Sequence, residues 1–390
     1  MVGFIRRQVE RISEMKLISK VVFSLLVYCA VCAIGAANAK SVEEILTYYG
    51  AGDASAAVAV GKEMFIVADD ENNVLRVYKT NHPYLPVFSY DLTEFLNIEP
   101  EYPEADIEGA TMVGDRIYWI TSHGRNRDGK IRPNRYRFFA TSVEVQNQDI
   151  TIRPVGIPCK TLIHKLVKTP AVRHLGLDRA TRFGASTLKK LAPKKEGLNI
   201  EGLCASPDGK IMYIGFRNPR PVNKKTGCAE ALLIPLNNAK EAIEGPQEPI
   251  FGEPILWDLK GCGIRSMEYS HFHKAYFIIA GPHNEESIFA LYRWSGKKGI
   301  PPSLVQQIDT NKRNFSPEAL VTFKNSARLL ILSDDGSLLI DVSGESECME
   351  GKLRSDGKCL NKHLTNPEKK HFGGIWLKPG TVEKNQKANN

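Results

Sequence analysis

The chain carries no G-x-S-x-G elbow, no H-E-x-x-H, no P-loop and no G-x-G-x-x-G among its 390 residues. These absences remove the motif-based case for an elbow-type serine hydrolase, a zinc protease and a phosphate-cradling nucleotide enzyme. Beyond residue 39 there is no C-x-x-C either, which argues against a zinc ribbon or a thioredoxin-type centre. Alternation of strands with long helical patterns is also missing, so a parallel βαβ architecture is not expected. What remains is a sequence of short apolar runs separated by Gly, Pro, Asn and Asp turns.

One run differs from the others. Between Lys20 and Lys40 lie nineteen uncharged residues, preceded by Lys16 and Lys20 and ending in Ala37-Asn38-Ala39. A basic start, an apolar middle and small residues at both peptidase-reading positions describe a cleavable signal peptide over residues 1–39, cut after Ala39. A start at Met15 gives this leader conventional proportions, and the alternative is an uncleaved anchor. Cleavage leaves no stable membrane anchor and places the chain in the periplasm or outside the cell. In that oxidising setting the six remaining cysteines can pair. Cys348 and Cys359, which bracket a loop containing Gly and Asp, are the expected disulfide, with Cys159, Cys204, Cys228 and Cys262 left open.

The net charge of +8 is unevenly spread. Residues 158–196 hold ten Lys/Arg against two Asp/Glu, and the rest of the chain after the leader is slightly acidic. Nucleic acid is therefore not an expected partner. The same stretch has helical spacing at Leu162, Ile163, Leu166 and Val167, broken by Pro170 and Pro193. It reads as a helical, basic insertion, either a solvated surface loop or a flap for an anionic partner. Residues 378–390 read as a disordered tail.

Self-similarity determines the fold class. Ile107-Glu108-Gly109-Ala110, Ile200-Glu201-Gly202-Leu203, Met267-Glu268-Tyr269 and Pro317-Glu318-Ala319-Leu320 each precede a turn and a second apolar strand. A fifth unit, Ser55-Ala56-Ala57-Val58, has Ser in place of Glu. The intervals are 53, 93, 67 and 50 residues, and the longest contains the insertion. A period near fifty predicts an all-β protein, a β-propeller of five to six four-stranded blades over residues 40–377. A sixth blade could come from the two ends, with 372–377 beside 45–49. A pair of β-sandwiches is the alternative architecture.

Propeller topology then locates a site. First strands line the channel, and second strands run antiparallel to them. The start of each first strand and the loop after each second strand thus share one mouth. Glu108, Glu201, Glu268 and Glu318 are predicted there as acid–base groups, with His123 as a further base. Arg125, Arg217, Arg265 and His283 are candidate ligand-binding residues or internal partners for the carboxylates. Asp69, Asp70, Asp334 and Asp335 are candidate ligands for Ca²⁺, a hard cation that takes oxygen donors. A purely architectural role, with each Glu tying neighbouring blades, is the competing interpretation.

The segments Asp69-Asp70-Glu71-Asn72, Gly197 to Leu203, Gly215-Phe216-Arg217-Asn218-Pro219, Gly263 to Tyr269, Ala280-Gly281-Pro282 and Leu332 to Gly336 resemble the bacterial family called domain of unknown function 3616. The resemblance implies a propeller-like fold. A weaker likeness runs to esterase-like phytases, exported propellers with acidic residues and Arg at the channel mouth. Two functions are then expected: a hydrolase of phosphoesters or esters acting on a small anionic molecule with Ca²⁺, or a non-catalytic propeller that binds a ligand or partner protein.

Overall fold

The computed structural model describes residues 44–146, 149–284, 286–308, 310 and 314–380. The expected leader, residues 1–39, and residues 381–390 of the expected tail lie outside the described residues.

The fold is a five-bladed β-propeller. Blade one contains β2 (Ala56–Val60), β3 (Met64–Ala68), β4 (Val74–Lys79) and β5 (Phe88–Asp91). Blade two contains β6 (Ile107–Val113), β7 (Arg116–Thr121), β8 (Phe138–Gln146) and β9 (Asp149–Cys159). Blade three contains β10 (Asn199–Ala205), β11 (Met212–Asn218), β12 (Ala231–Leu236) and β13 (Ile255–Trp257). Blade four contains β14 (Gly263–Ser270), β15 (Ala275–Gly281), β16 (Phe289–Trp294) and β17 (Ser303–Ile308). The fifth combines β18 (Pro317–Thr322) and β19 (Leu329–Ser333) with β22 (His371–Leu377) and β1 (Leu46–Tyr49). Each first strand packs against the first strands of both neighbouring blades, and β18 returns to β2 to close the ring.

The expected pairing of the two ends is present, with Tyr48 opposite Phe372, but it completes blade five and makes no sixth. The β-sandwich alternative is thereby excluded. Closure puts Tyr48 among Phe65, Tyr78 and Phe372, at centroid distances of 5.2, 5.6 and 5.3 Å. Tyr48 is fully buried, yet its hydroxyl finds no hydrogen-bond partner among the described residues. A buried, unpaired hydroxyl costs more than it returns. Tyr48→Phe is therefore expected to stabilise the protein by about 1 kcal/mol, seen as a higher urea midpoint at unchanged slope. A lower midpoint would show that the hydroxyl has a partner after all.

Blades stack face to face, which explains why first and second strands are apolar along their whole length rather than alternating. Separate apolar clusters fill the five interfaces: Ile66 and Leu75 with Trp119 and Phe139, for example, join blades one and two. Across the next interface the insertion joins the core. Leu162, Ile163, Leu166, Val172, Leu175 and Leu177 pack with Tyr118 and Phe138 of blade two and Phe216 of blade three. The insertion is helical as expected, with α1 at Leu162–Leu166 and α2 at Leu177–Thr181. It is no free surface loop, because one face is buried in that core while its charges remain outside.

A second excursion leaves blade five between β19 and β22. It contains the hairpin β20 (Leu339–Asp341) and β21 (Lys358–Leu360) and is closed by the expected disulfide, Cys348–Cys359. No helix among the described residues is long and apolar enough to cross a membrane.

Candidate functional site

The register of the first strands explains the repeated glutamate. β6, β10, β14 and β18 each skip one residue against their partner strand, leaving Glu108, Glu201, Arg265 and Glu318 unpaired in β-bulges. A bulge bends the strand and re-aims the extra side chain, here toward the others at the mouth. The glycine after two of these glutamates has a steric cause. A Cβ on Gly202 would lie 2.9 Å from Ile264 Cγ2 of the next blade and 3.1 Å from the Gly215 backbone.

Blade four corrects the predicted repeat. Its bulge residue is Arg265, and Glu268 lies three residues further along β14, opposite Phe277. With Arg265 as the repeat marker, the last two intervals become 64 and 53 residues. The cation belongs in the ring of carboxylates. Arg265 Nε lies 3.0 Å from Glu201 Oε2, and its Nη2 pairs with Glu318 Oε2. Arg217, from the end of β11, adds a 2.9 Å contact to Glu201 Oε1. It also donates to the carbonyls of Pro282 and Asn284, bridging blades three and four. Asn199 Nδ2 donates to Glu201 Oε1 at 2.7 Å.

Glu108 has no such partner. Among the described residues its carboxylate accepts no hydrogen bond and has no cation within ion-pair distance, although the residue is only 9% exposed. It is shared by two compact groups, Asp70–Asp106–Glu108 and Glu108–Glu201–Glu318. Within each, one oxygen per residue lies within 4.8 Å of the others. Burial pushes the Glu108 carboxyl well above its ordinary range, and Glu201, Asp106 and Glu318 push it further. Burial and the carboxylates of Glu71, Asp69 and Asp334 act likewise on Asp70, whose buried Oδ1 has no partner among the described residues. Asp106 is pushed up to about 6, mainly by burial, against the pull of Arg135 at 2.8 Å. Glu318 is pushed up to about 7 by burial, against the pull of Arg265. Mutually repelling carboxylates cannot all ionise without a compensating cation.

Asp106 and Asp53 escaped the sequence reading. Asp106 stands two residues before the bulge residue of blade two, and Asp53 two before Ser55, the corresponding repeat residue of blade one; blade three has Asn199 at this offset. That offset was the available signal. Asp53 is buried, accepts from Ser55 Oγ at 3.0 Å, and is raised by burial and by Asp334 and Asp70.

The other predicted site residues divide by their contacts. Of the four aspartates expected to bind metal, Asp70 alone belongs to a compact carboxylate group among the described residues. Asp69 accepts from the Glu71 N–H, closing its own turn. Asp335 has both oxygens engaged, with Ser333 Oγ and the Gly373 N–H. Asp334 accepts from the Gly336 N–H and adds negative potential at Asp53 and Asp70. Arg125 pairs with no carboxylate among the described residues. Its guanidinium donates to the carbonyls of Gly129, Thr181, Arg182, Ala185 and Ser186, so it fastens the insertion to blade two. His123 is buried beside Tyr136, its Nδ1 2.8 Å from the Thr121 carbonyl, and burial lowers its pKa to about 4. It stays neutral and away from the carboxylates. His283 is half-buried, lowered by burial and by the charges of Arg220 and Arg217, and joins neither carboxylate group.

The family described as protein of unknown function (DUF3616) matches residues 53–142 and 170–335, more than half of the chain. The chain belongs to this family. The DUF3616 match runs through the bulge residues of blades two to five and through Asp53, Asp70 and Asp106. It omits residues 143–169, so most of the basic insertion lies inside the family pattern and α1 lies outside it. No curated protein matches the DUF3616 chain in sequence. Solved structures resemble it distantly. Glutaminyl cyclase from Myxococcus xanthus has a TM-score of 0.37 and 12% identity, over 73% of this chain and 88% of that one. The PQQ-bound aldose sugar dehydrogenase from Streptomyces coelicolor has 0.37 and 8%, over 86% and 99%. The β-propeller domain of Cps50 (Swd1) from Myceliophteria thermophila has 0.33 and 8%, over 75% and 96%. Likenesses this distant carry no argument about activity.

Proposed function

We propose that the DUF3616 chain is an exported, Ca²⁺-dependent hydrolase of a small anionic phosphoester or ester, working at the channel mouth. The observation that carries this reading is Glu108, a buried carboxylate without a cation, shared by two three-carboxylate groups. Ca²⁺ binds oxygens at about 2.3–2.6 Å, so its ligands lie within about 5 Å of one another. The spacing of 4.8 Å within each group satisfies that limit. The disulfide Cys348–Cys359 supports an oxidising compartment.

Bound there, Ca²⁺ would offset the clustered negative charge and polarise water and the anionic group of the substrate. The chain's own residues do the rest. Arg265 and Arg217 hold Glu201 and Glu318 in place. Glu318, at about 7, exchanges a proton near neutrality. In hydrolysis the water oxygen bonds to phosphorus or acyl carbon as the ester oxygen leaves. The water's proton passes to Glu318 and from there to the departing oxygen.

A binding propeller without turnover is the second reading. It is favoured by the positions of His123 and His283, neither of which joins the carboxylates. One experiment separates the two. At a hundredfold excess over Kd, Ca²⁺ is expected to stabilise the protein by about 2.7 kcal/mol, read as a rise in melting temperature. Glu108→Gln is expected to abolish both this rise and turnover of phosphomonoesters or aryl esters, with the fold intact. A rise without turnover favours the binding propeller. Neither rise nor turnover overturns the hydrolase.

A further inference from the structure

The excursion between β19 and β22 continues beyond residue 335, the last residue matched by the family. A buried segment of it follows directly on the disulfide and reaches the mouth. Cys359 is fully buried, and Asn361, two residues on, is fully buried as well. Asn361 Nδ2 donates to the carbonyls of Gly52, Asp335 and His371, while its Oδ1 accepts from the His371 N–H. The Lys362 N–H then bonds to the Gly336 carbonyl at 3.1 Å. The Lys362 backbone approaches Gly52 so closely that a Cβ there would lie 3.3 Å from it. This framework carries one cation to the acidic side of the mouth. Lys362 Nζ pairs with Glu71, and the charges of Asp70 and Asp334 also act on it.

The other cations around the carboxylates are committed. Arg135, Arg217 and Arg265 have side chains 11%, 8% and 5% exposed, each held by carboxylates. Lys370 Nζ donates to the Lys362 carbonyl. Lys362 is 32% exposed and its partner Glu71 28%. A pair partly open to water is held less firmly than the buried ones, so an incoming anion can compete with Glu71 for the ammonium.

We infer that Lys362 is a ligand-recognition residue, whose ammonium takes an anionic group of phosphate type beside the cation held by Asp70, Asp106 and Glu108. The inference rests on the reading of the mouth as a Ca²⁺ site, and it adds the chemistry of the second ligand. Calorimetric titration with Ca²⁺ alone, then with inorganic phosphate at saturating Ca²⁺, tests it in the wild type, Lys362→Met, Lys362→Arg and Cys348→Ser/Cys359→Ser. Lys362→Met is expected to weaken phosphate binding about tenfold or more, as loss of one charge-assisted contact does. Ca²⁺ binding should be kept or tightened, because a like charge has gone. Lys362→Arg should retain most of the phosphate affinity, and the disulfide-free variant should lose it along with Lys362→Met. Phosphate binding unchanged in Lys362→Met, or absent from wild type that binds Ca²⁺, overturns this inference and leaves the Ca²⁺ site standing. A wild-type chain that takes up no Ca²⁺ overturns both.

Discussion

Arg265→Met is expected to cost about 3–5 kcal/mol at neutral pH, the largest loss of any single change at the mouth. The guanidinium is 5% exposed and lies between Glu201, 1% exposed, and Glu318, 6% exposed. It also sits 5.8 Å from the Phe289 ring centroid, on the wall between blades four and five. Methionine fills similar space without the charge, so the loss is mainly electrostatic. Two buried carboxylates remain, and only Glu201 keeps a partner in Arg217. Such groups must be protonated or must repel each other across the ring. The deficit should therefore shrink at pH 5, where Glu318 can take up a proton, and should grow toward pH 8. Adding Glu318→Gln to the variant should recover part of the loss, since the two effects are coupled. Urea midpoints at the two pH values check this. An equal loss at both would reduce Arg265 to a packing residue.

This ring was half legible in the sequence, for a reason that the bulges make plain. Glu108, Glu201 and Glu318 repeat with the blade because blades two to five each place one extra residue at the head of the first strand. Glu268 took the fourth place in that reading because it is a glutamate near the expected interval. The register of β14 instead places Arg265 there. A ring of carboxylates around one axis needs a positive member. Arg265 is expected from the sequence as a carboxylate partner, but a search for identical residues does not place it at the repeat position itself. Comparison of Ile264-Arg265-Ser266-Met267 with Ile200-Glu201-Gly202-Leu203 contains the correct alignment.

Strands and their neighbours followed from local pattern: the apolar runs, the turns and even the pairing of 45–49 with 372–377. The blade count did not, because whether the two ends add a blade or finish one depends on contacts across the whole chain. Arg125 shows the same limit at a side chain. Its charge demands acceptors, but nothing local indicates whether these are carboxylates or the five carbonyls that it meets. Asp335 likewise shares its neighbour's chemistry and differs only in facing Ser333 and Gly373. The buried face of the insertion was visible as helical spacing. The interface that receives it was not.

Glu268, displaced from the ring, leads to the second large expectation. Glu268→Gln should stabilise the protein increasingly as pH rises from about 4.5 to about 8. Burial raises this carboxyl to about 8, and the only opposing effect is the Tyr269 N–H donating to Oε1. Its other oxygen is buried and has no partner among the described residues, and the neighbouring Cys204 is fully buried. The folded state thus keeps a proton that the unfolded chain releases above its ordinary pKa of about 4.3. A raised folded pKa contributes stability that is fully present below the unfolded value and is lost as pH climbs through the folded one. Each pH unit in that window costs up to about 1.4 kcal/mol. Glutamine cannot ionise and escapes the loss, so the difference between variant and wild type should be small at pH 4.5. It should reach on the order of 3 kcal/mol near pH 7 and level off above pH 8. Denaturant midpoints of both proteins across that range measure it. A difference that does not change with pH would mean that Glu268 is ionised and solvated in the folded protein, and that its burial on β14 does not hold in solution.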